Sequence, residues 1–174
     1  MRQWQRRILG VLATGGGFTG LAVGLTLLIT PGSVLAKAFC LPFLALYIWG
    51  IVCGLCLLED RPGAVKQNFY FWLVQIPHLM SPAIGYSFSS GASLYFIFQP
   101  DISKWDFSAR LGSQFAYSLF QGMPFALGIN FIAVLVCGYF LVLLRRSPHG
   151  NDTTGFQHAV VASQHTESAS PEGT

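Results

Sequence analysis

The chain has 174 residues, of which 52% are hydrophobic and 10% charged, with a formal net charge of +3. A water-soluble globular domain carries about a quarter charged residues, so the composition excludes one and names the lipid bilayer as solvent. The lysines and arginines flank apolar runs instead of gathering into a patch, which argues against a nucleic-acid partner and for membrane orientation.

A helix crossing about 30 Å of hydrocarbon needs roughly 20 apolar residues, because each rises about 1.5 Å and every backbone group must be satisfied within the segment. The first run that qualifies extends from Ile8 to Thr30. A cleaved leader is the rival reading, since "RQWQRR" resembles a basic n-region and Val34 and Ala36 suit a cleavage site. The apolar stretch is too long for a usual leader core, so retention as a first span is expected. Within it Gly16, Gly20 and Gly24 recur every fourth residue, a spacing that lets helix backbones approach closely. The expectation is packing between spans of one chain, with homodimerisation as the alternative. No strand precedes these glycines and no lysine follows them, so a nucleotide-binding loop is excluded.

The second run, Leu35 to Leu58, adds Gly50 and Gly54 and holds the CxxC pair Cys53 and Cys56. A redox pair needs a thiolate stabilised by a helix N-terminus or a cation. These cysteines sit toward a helix C-terminus beside Glu59 and Asp60, and Cys40 and Cys137 lie in opposite halves of the bilayer. They read as small membrane hydrophobes, and no disulfide framework is expected.

The third run, Phe69 to Gly85, is short and contains Pro77 and Pro82, which predicts a kinked or partly unwound span. On a helix, Gln75, His78, Ser81 and Gly85 share a face. His78 then lies about 13 Å from the inner boundary and Asn130 of the fourth run about 12 Å from the outer one, so the two are expected to meet near the midplane. Intramembrane polar residues are functional candidates by default. The plain reading is an interhelical hydrogen bond, and the sharper one is a proton or substrate pathway. No Asp or Glu stands within the runs to carry protons, which weakens transport.

From Tyr86 the period becomes two. Tyr86, Phe88, Leu94, Phe96 and Phe98 occupy even positions, with Ser87, Ser89 and Ser93 between them. After "QPDISK" the apolar series moves to odd positions as Trp105, Phe107, Phe115 and Tyr117, alternating with Asp106, Ser108, Arg110 and Gln114. Such alternation predicts a strand pair over 86–119. Folding back through Pro100 to Ser103 sets Phe98 opposite Trp105, Phe96 opposite Phe107 and Phe88 opposite Phe115, with Gly91 opposite Gly112. A slip of one residue would put every aromatic on the wrong face, and the paired glycines would let the ribbon bend. An isolated two-stranded ribbon is marginal and has two open edges. Phe88, Phe96, Phe98, Trp105, Phe107 and Phe115 are therefore expected to dock on helix tops or headgroups, or on a partner strand or second copy.

The fourth run covers Gly122 to Leu144, and the segment 147–174 has the composition of a disordered cytoplasmic tail. Its His149, His158 and His165 match no metal-ligand spacing. Arg2, Arg6, Arg7, Arg61, Lys66, Arg145 and Arg146 outnumber Lys37, Lys104 and Arg110 on the opposite side, which puts both termini in the cytoplasm. That orientation requires an even number of spans.

The expected fold is an all-α membrane bundle of four transmembrane helices, about 8–30, 35–58, 69–85 and 122–144, with an inserted extracytoplasmic antiparallel β-hairpin. Its expected home is a bacterial inner membrane. The expected function is that of a non-catalytic accessory or assembly subunit, with lipid and a protein partner or second copy as contacts and with no cofactor, metal or nucleic acid. A small transporter or channel around His78 is the class alternative, and thiol redox chemistry ranks third.

Overall fold

Ser33 starts the second helix by accepting a hydrogen bond from Ala36 N at 3.2 Å, and Pro31 and Gly32 turn the chain between two long apolar segments. Helices α1 (Gln3–Ile29) and α2 (Val34–Leu58) therefore form an antiparallel hairpin. Both are long and apolar enough to cross a membrane. The computed structural model describes residues 1–119 and 124–146; the expected tail, 147–174, and its three histidines lie outside the described residues.

The glycines make this hairpin close. A side chain at Gly20 would strike the Tyr47 ring, one at Gly24 would strike Leu44, and one at Gly54 would strike Thr14. Gly50 gives its space to Phe71 of the third helix. Arg6 and Asp60 form an ion pair that ties the start of α1 to the residues just past the end of α2.

The third and fourth expected spans are corrected. Helix α3 covers only Ala64–Leu73, and helix α4 covers Phe131–Arg146. By helix rise they reach about 15 Å and about 24 Å, against about 40 Å for α1. Beyond α3 the chain becomes strand β1 (Pro77–Met80), and before α4 it is strand β6 (Ala126–Asn130). Pro77 has no N–H to continue the helical hydrogen bonds and disfavours helix at this point. The β6 sequence ALGIN alternates buried and exposed positions, as a strand does.

The expected hairpin is corrected to a six-stranded sheet in which its strand pairs keep their register. Strands β2 (Ile84–Ser89), β3 (Ala92–Gln99), β4 (Lys104–Leu111) and β5 (Gln114–Leu119) join β1 and β6 in a six-stranded antiparallel sheet of order β4-β3-β6-β1-β2-β5. Pairing of β3 with β4 sets Phe98 opposite Trp105 and Phe96 opposite Phe107, and pairing of β2 with β5 sets Phe88 opposite Phe115. A 3-10 turn, Pro100–Ile102, closes the tip.

Gly91 and Gly112 have φ of +89° and +107°, values that L side chains rarely adopt. Gly112 N donates to Gly91 O at 2.7 Å, so the ribbon turns at both strands together. It becomes two arms, β2–β5 and β3–β4, and β1 and β6 fill the space between β2 and β3. The result is a curled sheet.

The β2–β5 arm rests on the helix hairpin. Phe43 stacks 4.9 Å from Phe115 and Tyr47 lies 4.9 Å from Phe88. Tyr117 OH donates to Ala36 O at 2.7 Å, near the start of α2, while Ser113 Oγ donates to Gly16 O. Gly16 is about 20 Å along α1 by helix rise, so this arm runs beside the half of the hairpin nearest its α1–α2 turn. A side chain at Gly16 would collide with Ser90 and the Gly91 nitrogen; this glycine admits the sheet, not a helix.

Helix α4 returns toward the start of α1. Tyr139 OH donates to Gln5 Oε1 at 2.8 Å, and the Cys137 thiol lies 3.7 Å from Phe69 O of α3. Two short helices and the sheet between them make a single excursion from one end of the hairpin.

Candidate functional site

Alternation sorts each arm into an aromatic outer face and a polar inner one, and the bend turns the polar faces toward each other. A cavity of about 270 Å³ opens there, lined by His78, Ser87, Tyr95, Ser108, Arg110 and Gln114 with an apolar wall that includes Met80 and Ile97. Five strands supply the polar groups: β1 brings His78, β2 Ser87, β3 Tyr95, β4 both Ser108 and Arg110, and β5 Gln114.

His78 Nδ1 is 2.9 Å from Ser87 Oγ, and its ring centroid is 5.1 Å from that of Tyr95. Tyr95 is buried and its hydroxyl donates to Phe88 O at 3.1 Å. Burial, and then the Arg110 guanidinium, hold the imidazole below its ordinary pKa. Burial raises the Tyr95 phenol, with Ser87, Ser89 and Arg110 acting in the opposite sense. Both groups are neutral at pH 7.

Arg110 donates from Nε to Ser108 Oγ at 3.3 Å and from Nη1 to Gln114 Oε1. Among the described residues the ion pairs are Arg6 with Asp60 and Arg61 with Glu59, so the guanidinium at this mouth faces neutral oxygens and no carboxylate. Ser93 pairs in register with Arg110, and Ser89 pairs with Gln114. Among the described residues the hydroxyls of Ser93 and Ser118 and the amide nitrogen of Asn130 are buried without a hydrogen-bond partner.

The polar face expected on a third span does not exist as a helix face, because its residues fall on three different local structures. Gln75 follows α3, where Nε2 donates to Phe71 O at 3.3 Å and Oε1 accepts from Ser90 N at 2.8 Å. Ser81 sits in the β1–β2 turn, accepting from Ile84 N at 3.0 Å and donating to Ile84 O at 2.8 Å. Asn130 ends β6, and its Oδ1 accepts from Leu94 N at 3.1 Å. These three hold backbone in place. His78 alone of the set lines the cavity, and it faces Gly128 rather than Asn130 across the β1–β6 pair. Tyr95 of β3 is the register partner of Asn130, and its ring lies beside that of His78.

The aromatic candidates divide between the arms. Phe88 is wholly buried and Phe115 half-buried against α2. Phe96 and Phe98 are half-buried beside Trp105, while Trp105 and Phe107 are 57% and 66% exposed. Cys53 and Cys56 are free thiols, the first of them buried.

Ser87, Tyr95, Ser108, Arg110 and Gln114 are polar cavity residues that sequence reading did not single out. Their signal was the polar half of the alternation, which marks a shared face without showing that the face curls upon itself. Comparison with protein-family models, with curated proteins and with solved structures gives no match.

Proposed function

We propose that this chain is a non-catalytic membrane protein, an accessory or assembly subunit, that acts through another polypeptide bound at the β3–β4 arm. In this reading α1 and α2 cross the bilayer with their arginine-bearing end in the cytoplasm, and α3 and α4 enter it from that side. The curled sheet then lies level with the outer half of the hairpin.

One observation carries the proposal: among the described residues strand β4 is hydrogen-bonded on one side only, to β3, and its outward row includes exposed Trp105, Phe107 and Leu111. Outward Leu127 and Ile129 of β6 extend that row beyond β3. Hydrocarbon would suit the rings but strands the unpaired backbone groups of the edge, each costing several kcal/mol. Water would suit the edge but exposes a continuous apolar row. A protein surface that adds a strand to β4 and covers its rings satisfies both.

The test is photo-crosslinking in intact membranes from position 107, on the row, and from position 70, exposed on α3 and off the row. A polypeptide adduct at 107, with a second copy or another chain, and none at 70 is the expected outcome. Lipid adducts alone at both positions overturn the proposal.

A further inference from the structure

We propose that the inner face of the curled sheet binds a phosphate group, held by the Arg110 guanidinium at the mouth and by the hydroxyls of Ser87 and Ser108 inside. This site is separate from the outer aromatic row and goes beyond the contact function given above.

Three observations converge on it. The cavity of about 270 Å³ is the size of a small polar ligand, near the lower end of the range of roughly 300–1,000 Å³ found for ligand sites. Its polar lining is rich in donors: Arg110 has N–H groups beyond the two already engaged with Ser108 and Gln114. Its charge is also one-sided. Asp106 lies on the same face of β4, but four residues toward the tip and paired with Ile97, and it does not line the cavity. A guanidinium with a planar fork and no carboxylate partner among the described residues is suited to bidentate contact with phosphate oxygens.

The hydroxyls inside support the same reading. Ser108 Oγ accepts from Arg110 Nε at 3.3 Å, which leaves its O–H to donate toward an anion at the mouth. An apolar ligand would make no use of the remaining N–H groups of the guanidinium.

The phosphate can belong to a free ester or to the headgroup of an anionic lipid, and one experiment separates the two. The full chain is reconstituted in phosphatidylcholine nanodiscs and its melting temperature is followed during titration with glycerol phosphate at constant ionic strength. Wild type is expected to show a saturable rise. R110Q is expected to bind about tenfold more weakly or worse, the scale of losing one charge-assisted hydrogen bond. K104Q, which removes an equal charge outside the cavity, keeps wild-type affinity, and S87A loses a few-fold. Repeating the titration with phosphatidylglycerol in the nanodiscs identifies the source. A stabilised starting point that glycerol phosphate no longer shifts marks the headgroup, whereas an unchanged titration marks the free ester. No saturable response in either disc overturns the proposal, as does equal loss in R110Q and K104Q. If R110Q does not fold, S87A measured against K104Q carries the same decision.

Discussion

The two arms of the curled sheet are built from one alternating ribbon, yet they meet opposite fates. On the β2–β5 arm the aromatic row is roofed by Phe43 and Tyr47 of α2, and Phe88 has no exposure at all. On the β3–β4 arm the same alternation leaves Phe107 66% exposed. A period of two fixes which side chains share a face, but what covers that face is decided by a turn at Gly91 and Gly112. Burial therefore divides the ribbon into a covered arm and an exposed one.

If that division is correct, truncation should cost very different amounts on the two sides. Phe88→Ala is expected to destabilise by about 3–5 kcal/mol, the usual cost of emptying a buried phenylalanine site, measured by denaturant unfolding in mild detergent. Gly91→Val attacks the hinge between the arms. It forces a branched side chain into a left-handed backbone and against Leu12, and about 2–3 kcal/mol should be lost. Tyr117→Phe removes the hydroxyl bound to Ala36 O and should cost about 1 kcal/mol in the same assay. Phe107→Ala should change stability by less than about 0.5 kcal/mol while abolishing crosslinking from a probe at neighbouring position 105. A stability loss at Phe107 as large as that at Phe88 would erase the distinction.

Much of this architecture could be read from residues, and the failures have physical causes. The strand register was legible because Gly91 and Gly112 interrupt both strands at facing positions, and because any shift would exchange aromatic for polar neighbours. The first two helices were legible because their apolar runs are long enough to allow no other structure. The third run misled because Phe69–Gly85 joins a short helix to a short strand, and brief apolar runs of the two kinds look alike. Likewise, Ala126–Asn130 merged with α4 into one apolar stretch, although Gly128 is packed between strands against Phe96 O and Ile97. The helical spacing of Gln75, His78 and Ser81 was a coincidence of numbering. The cavity was legible only in part, since His78 and Arg110 are brought together by pairings that link residues far apart in the chain.

The central position of β6 has a consequence for how the molecule is made. Strand β6 lies between β1 and β3 and pairs with both, so neither of those strands has both neighbours until Asn130 has left the ribosome. The helix hairpin and the β2–β5 ribbon can form during synthesis from segments already available, but the curled sheet must wait for its last strand. Until then β1 and β3 expose backbone to whatever is nearby, and a chain stalled or cleaved before Ala126 would present two adhesive edges, a substrate for quality control and not a smaller version of the protein.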